Sequence, residues 1–220
     1  MGNSVSNWVN VSSSVPQGSV LGPILFVIFI NDLPDCVSSA CICKMYADDT
    51  KLLATINSDD DHAQLQVDLN SINDWTHKWL MELNIKKCKV MHTGYKPTHS
   101  SYSMEDVQSG QSTRVLLETT KTERDLGFQM SADLKCHDQA QVAAAKANRY
   151  LGILKNTFVS RDANLWKKLY TTYVRPQLEY AVPVWSPYMH KDIDCLEKIQ
   201  HRATKIPHSL KSLQQIFTTM

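Results

Sequence analysis

The sequence predicts an α+β fold, and two observations carry that prediction. β-Prone runs interleaved with two helical patterns occupy residues 1–134, and three consecutive helical patterns occupy residues 135–220. No internal repeat or long linker separates the two regions, so the boundary is set where the pattern changes. A chain of 220 residues suffices for one large domain or two small ones, each burying a core without staples. The composition, 43% hydrophobic and 20% charged, is that of a globular protein. With 7 Gly and 8 Pro the chain is neither collagen-like nor low-complexity. No apolar run reaches the ~18 residues of a membrane span, and Met1–Asn10 is too polar for a secretory signal.

The elements follow in order. Residues 8–15 (WVNVSSSV) alternate like a strand, broken by Pro16-Gln17-Gly18. Ser19 caps a helix with Pro23–Leu33 as its body, Pro23 tolerated in the first turn and Pro34 ending it. That body is apolar nearly all round, which predicts a buried helix. Residues 41–56 place two β-prone runs around Ala47-Asp48-Asp49, a hairpin with two carboxylates at its tip. Ser58 and three aspartates open an amphipathic helix, with Leu65, Leu69, Ile72, Trp75, Trp79 and Leu83 as its stripe and Asn84 as its C-cap. Residues 87–93 read as a strand ended by Gly94, 95–113 as an exposed loop or loose hairpin, and 114–119 and 125–130 as strands. Helical patterns cover 138–157, 161–175 and 190–205; in the last, Ile193, Leu196, Ile199 and Ala203 mark the buried stripe, away from Lys191, Lys198, Arg202 and Lys205.

Charge is unevenly divided. Residues 1–134 carry six more acids than bases, and residues 135–220 seven more bases than acids, which leaves the net +1. An acidic part able to hold cations then precedes a basic part able to hold a polyanion, although solvated helices can produce the same asymmetry by chance. None of the 6 cysteines forms a CxxC pair. Cys41 and Cys43 share a strand face, and Cys88 with His92 has the spacing of half a zinc site without a second half. Reduced thiols in an intracellular, reducing compartment are expected, with nucleus and cytoplasm left open.

Adjacent carboxylates are hard oxygen ligands suited to Mg²⁺. A two-metal phosphoryl-transfer site needs carboxylates from several segments, and an isolated Asp-Asp more simply makes a turn. The surrounding motifs decide between these readings. Tyr46-Ala47-Asp48-Asp49 resembles the YxDD box of reverse transcriptases. Val15-Pro16-Gln17-Gly18-Ser19 with Leu21-Gly22-Pro23, followed by Ile30-Asn31-Asp32-Leu33-Pro34, resembles an upstream polymerase motif of retrotransposons. Leu83–Met91 resembles the next palm motif, and Asp125-Leu126-Gly127 the primer-grip region. Val174–Ala181, Val184–Pro187 and Gln200–Lys205 resemble the thumb of non-LTR (LINE-type, jockey-like) elements. The ordered set spans roughly residues 5–210.

The resemblance implies a partial palm, an antiparallel sheet plus helices, over 1–134, followed by an α-helical thumb over 135–220. It implies nucleotidyl transfer by two metal ions, with Asp48 and Asp49 as catalytic magnesium ligands and Lys87 near the leaving pyrophosphate. Lys86 and Lys89 compete for that role, and a solvated strand-edge lysine is an equal reading of Lys87. Gln17, Gly18 and Tyr46 would contact template and incoming nucleotide, Gly18 because backbone must come close there. Lys198, Arg202 and Lys205 would hold the phosphates of an RNA template paired to a DNA primer, with deoxynucleoside triphosphates as substrates and no membrane involved. Trp166, Tyr170, Tyr173 and Tyr180 read as packing residues among these charges.

The sequence departs from the family in two places. Ser14 stands where the family usually has Gly. The family's first palm strand carries a further catalytic Asp, and nothing matches it; residues 1–14 contain neither Asp nor Glu. A chain with an incomplete, weak magnesium site and no activity of its own is therefore expected. The alternatives are a non-catalytic nucleic-acid-binding remnant and a decayed open reading frame whose product does not fold stably.

Overall fold

The computed structural model describes residues 18–94, 100–108 and 111–207. The predicted strand over 8–15 lies outside the described residues, as does Gln17. The class is mixed α+β, as the sequence implies, and the residues gather into two compact units. One holds the described residues up to Cys88 together with Ser100–Leu117. The other holds those from Lys89 to Gly94 and from Glu118 onward.

The first unit opens with helix α1, Gly22–Ile30, whose first amide is bonded by the Ser19 hydroxyl at 3.1 Å. The expectation of a buried helix is corrected. Gly22 and Ile30 are buried and Phe26 and Phe29 half-buried, but Ile24, Leu25, Val27 and Ile28 are 52–68% exposed. A 3.6-residue period lets one stripe face the neighbouring helix, and no described element covers the other side. The covered stripe ends on aromatics: the Phe29 ring meets Trp75 edge-on at 6.0 Å and Trp79 at 5.5 Å. A 3-10 turn, Leu33–Cys36, leads into β1, Cys41–Tyr46, which pairs antiparallel with β2, Asp49–Ala54.

Helix α2, Asp59–Lys78, starts as predicted. The Ser58 hydroxyl accepts from Asp61 N, and the Asp61 carboxylate accepts from the Asn57 and Ser58 amides at 2.8 and 2.9 Å, a capping box. Those bonds, the Asn57 amide first, hold the Asp61 carboxyl below its ordinary value. The folded form is then favoured above the unfolded carboxyl's titration and loses that advantage as pH falls through the lowered value. Ser58→Ala is expected to cost about 1 kcal/mol at neutral pH. The melting difference between wild type and Asp61→Asn is expected to shrink steadily on acidification, as circular-dichroism melts across pH will read.

The end of α2 differs from the sequence reading. Leu69, Ile72 and Trp75 of the stripe are buried, but the helix stops at Lys78, because Leu80 takes a left-handed conformation with φ 53°. Asn84 instead precedes a 3-10 turn, Ile85–Lys87. The buried Asp68 carboxylate accepts from Ser38 N at 3.0 Å, Ser38 Oγ at 2.8 Å and Gln64 Nε2 at 3.2 Å, fastening the approach to β1 onto α2. The Ser-rich stretch closes as a hairpin of β4, Ser103–Gln108, and β5, Gln111–Leu116. Gln66 joins α2 to β4 by a reciprocal pair with the Ser103 backbone, at 2.8 and 3.0 Å.

In the second unit, β3 is only Lys89–Val90, and it pairs parallel with β6, Glu118–Thr119. The strand read over 125–130 is in fact a hairpin. β7, Thr122–Asp125, turns through Leu126 and Gly127 into β8, Phe128–Ser131. The described strands thus form four separate pairs, three antiparallel and one parallel, rather than one antiparallel sheet.

Seven helices complete the count among the described residues. In this unit α3 runs His137–Thr157, α4 Ala163–Leu169, α5 Arg175–Glu179, α6 Val182–Trp185 and α7 His190–Thr204. The helix read over 161–175 is found as one unbroken helical run that starts at Ala163 and continues to Glu179, through α4, a π-turn and α5. A π-turn, Tyr170–Val174, joins α4 to α5, because Pro176 has no N–H to give the preceding turn and its ring crowds a carbonyl there. Ala144, Ala147, Leu151 and Leu154 of α3 pack with Trp166, Leu169, Val174, Leu178, Ile199 and Ala203. The alanines let α5 and α7 come close to α3. At the other end of α3, His137 Nδ1 meets the buried Asp192 carboxylate of α7 at 2.5 Å.

Candidate functional site

The carboxylate pair sits where the hairpin turns. Tyr46 and Asp49 are the last paired residues of β1 and β2, so Ala47 and Asp48 alone make the connection. A two-residue turn that matches strand twist needs positive φ, and Ala47 supplies it at 53°. Asp48 is therefore a turn residue and not a strand residue. Asp49 begins β2. Both carboxylates are exposed.

The register divides the hairpin into two faces. Cys41, Cys43, Met45, Leu52 and Ala54 share the covered one. Ile42, Lys44, Tyr46, Leu53 and Asp49 share the other, where Ile42, Tyr46 and Leu53 are all more than half exposed. Tyr46 and Asp49 thus stand side by side on an open surface. Burial pushes the Cys36, Cys41 and Cys43 thiols up from their ordinary value, so they stay protonated and are poor metal ligands.

A hard divalent ion needs several oxygen ligands. Among the described residues no group of three or more His, Cys, Asp or Glu side chains gathers into a metal site. Asp48 and Asp49 supply part of such a set and do not complete it.

The remaining sequence-derived candidates fall elsewhere. Gly18 has φ 85°, a conformation glycine adopts freely, and a side chain there would meet nothing within 4 Å. Lys87 lies exposed in the 3-10 turn rather than on a strand, because Lys87 N closes on the Asn84 carbonyl at 2.9 Å. Lys89 pairs with Glu118, which leaves Lys86 and Lys87 as the exposed lysines of that segment.

Lys198 and Arg202 project from α7, and Lys205 lies at its C-cap. Spacings of four and three put them on one stripe, beside the buried stripe of Ile199 and Ala203. Arg202 Nη1 donates to Asn148 Oδ1 on α3 at 3.0 Å, which fixes one cation of the stripe. The aromatics read as packing residues divide. Trp166 is buried and donates to the Ser160 carbonyl at 2.7 Å, whereas Tyr173 and Tyr180 are about half exposed.

One residue with a specific job escapes a reading of the sequence. The Tyr180 hydroxyl donates to the Leu126 carbonyl at 2.6 Å, in the β7–β8 turn. An aromatic among charges signals packing; only the unusual Leu-Gly turn hints that something must hold it.

Among the described residues no helix is long and apolar enough to cross a membrane. Comparison with known proteins gives a consistent picture. Residues 2–154 match the family described as reverse transcriptase (RNA-dependent DNA polymerase). The chain is 26% identical over 208 residues, 88% of its length, to the probable RNA-directed DNA polymerase from transposon BS of Drosophila melanogaster. It is 23% identical over 210 residues, 93% of its length, to that from transposon X-element of the same species. A shorter match, 33% identical over 85 residues, covers 36% of the chain and 9% of the RNA-directed DNA polymerase from mobile element jockey, also of Drosophila melanogaster. The chain spans 22% of the length of each of the first two relatives. No solved structure matches it significantly.

Proposed function

The chain belongs to the reverse transcriptase (RNA-dependent DNA polymerase) family, in its non-LTR retrotransposon branch, and on that premise we propose that it is a palm-and-thumb portion that engages an RNA template paired to a DNA primer. The family uses divalent metal ions, a nucleic-acid template and nucleotide substrates. The observation that carries the reading is the two-residue hairpin turn between Tyr46 and Asp49, which presents Asp48 and Asp49 together. In the intact family such carboxylates hold magnesium for nucleotidyl transfer.

In this reading the chain is not expected to polymerise on its own, since a two-metal site needs carboxylates from several segments and this turn presents two. What remains is binding. The basic stripe Lys198, Arg202 and Lys205 holds phosphates without reading sequence, which suits a protein that must accept any template. Lys86 or Lys87 serves as the cation near a nucleotide's phosphates, and Tyr46 lies on the same face as Asp49 to border the base.

Primer extension by the purified chain, with an RNA template, a DNA primer, deoxynucleoside triphosphates and Mg²⁺, tests the catalytic half of the proposal. No product longer than the primer is expected. Extension that disappears in Asp48→Ala shows instead that the two carboxylates suffice.

A further inference from the structure

In the first unit, the outer edge of β4 is only partly used. Leu117 N donates to the Tyr102 carbonyl at 2.8 Å, so Tyr102 turns that carbonyl toward the β5 side. Alternation along the strand then turns the amides and carbonyls of Ser103, Glu105 and Val107 away from β5. At Ser103 a side chain stands where a neighbouring strand would. Gln66 Nε2 donates to the Ser103 carbonyl at 2.8 Å, and Gln66 Oε1 accepts from Ser103 N at 3.0 Å, the two bonds that a paired residue makes. Past Ser103 this pairing stops. β4 joins β5 alone, and among the described residues no strand covers the outward groups of Glu105 and Val107.

Glu105 and Val107 border a cleft of about 390 Å³. Its other wall is the end of α2 and the turn after it, through Thr76, Leu80, Met81 and Leu83. Met81 N donates to the Thr76 carbonyl at 2.9 Å and so fixes that turn. Leu80 is 93% and Val107 42% exposed, which leaves apolar surface open on both walls. Two exposed carboxylates, Glu82 and Glu105, also line the cleft, with His77 as the one other titratable group there. Arg114, across the hairpin from Glu105, is engaged elsewhere: its guanidinium donates to Ser103 Oγ and Asn70 Oδ1, each at 2.8 Å. Glu105 accepts only from a neutral hydroxyl, that of Ser112, at 3.2 Å.

We propose that this edge binds an extended peptide segment carrying a basic and an aliphatic side chain two residues apart, which adds to β4 as a third strand. Its backbone pairs with Glu105 and Val107 as Gln66 already pairs with Ser103. Residues two apart share a face, so the basic side chain lies beside Glu105 and the aliphatic one beside Val107. A second copy of this edge is the poorer occupant, because it sets one acidic edge against another. The site shares no residue with the carboxylate turn or the basic stripe, so it stands or falls apart from the nucleic-acid reading.

The probe is a fluorescein-labelled peptide, Thr-Lys-Thr-Val-Thr-Lys-Thr, whose pattern reads alike in both directions. Fluorescence anisotropy with the full chain is expected to show saturable binding. Methylating the amides of its Lys and Val residues removes donors and keeps charge, and is expected to weaken binding about tenfold. Val107→Pro deletes one outward N–H and no bond of the β4–β5 ladder, a place where an edge strand tolerates proline. It is expected to lose about fivefold with unchanged melting. Glu105→Lys, at an exposed side chain, decides the matter should Val107→Pro not fold. It is expected to bind this peptide about fivefold more weakly and to prefer the same peptide with Glu in place of Lys. Equal binding of the plain and methylated peptides means attraction to an acidic surface without strand addition, and overturns the proposal. So does a plain peptide that does not bind. Self-association of the free chain that is lost in Val107→Pro assigns the edge to a second copy and overturns the peptide as its partner.

Discussion

Trp185→Ala is expected to lower the melting temperature by roughly 10 °C. Trp185 is 1% exposed. It packs against Ala140 and Ala143 of α3, with Phe128, Cys136, Ala181, Val182 and Leu196 around it. The cluster therefore draws on β8, α3, α6 and α7. Truncating a buried aromatic costs about 3–5 kcal/mol, from lost burial and from the cavity left behind. A domain holds about 5–15 kcal/mol in all, so this loss removes a large share of it. The indole N–H also donates to the Tyr180 carbonyl, and alanine leaves that acceptor without its partner. Urea or thermal melts of wild type, Trp185→Phe and Trp185→Ala will rank the losses. Phenylalanine fills most of the space but donates nothing, so it is expected to fall between the other two. Equal melting of wild type and Trp185→Ala shows that the cluster does not hold this unit together.

The parts of the fold visible in the sequence are those whose signal is local chemistry. The tip of the first hairpin is legible because Ala-Asp-Asp interrupts two β-prone runs, and the start of α2 because Ser58 and Asp61 stand at capping-box spacing. The parts that are not legible depend on conformations the residue types do not announce. Leu80 ends α2 and Leu126 opens a hairpin turn, each in the left-handed region where Gly or Asn is the usual marker. The π-turn before Pro176 keeps the chain helical where proline alone predicts a break or a kink. For α1 the apolar composition predicts a helix correctly and its burial incorrectly. An all-round apolar helix ought to be buried, yet only the stripe through Gly22, Phe26, Phe29 and Ile30 is covered by the described residues.

The candidate site divides the same way. The YADD turn is legible because its motif is local. The pairing of Tyr180 with Leu126 is not, since it joins residues 54 apart and depends on a turn whose sequence reads as a strand. Lys87 is the intermediate case: the sequence leaves it open between a cation near the leaving pyrophosphate and a solvated strand-edge lysine, and does not announce its place in a 3-10 turn.

Replacing Lys198, Arg202 and Lys205 together with alanine is expected to weaken binding of an RNA–DNA duplex on the order of 100-fold at 0.15 M salt. Each cation that neutralises a phosphate releases counterions, and removing one such cation lowers the slope of log affinity against log salt by about 1. Removing all three should flatten it by about 3. The slope is the decisive reading, because a change of fold lowers affinity without changing the number of phosphates bound in this regular way. Stability is a separate control. All three side chains are exposed, and exposed substitutions usually shift stability by less than about 0.5 kcal/mol each. Arg202 calls for its own single variant, since its bond to Asn148 fixes it on α3 and spares part of the entropy that a free arginine loses on binding a phosphate. Arg202→Ala is then expected to lose more affinity than Lys198→Ala or Lys205→Ala. Duplexes of unrelated sequence should be weakened alike, because phosphates carry no sequence information. If the triple variant keeps both affinity and slope, the basic stripe of α7 is a solvated helix face, and whatever nucleic acid the chain binds is held elsewhere.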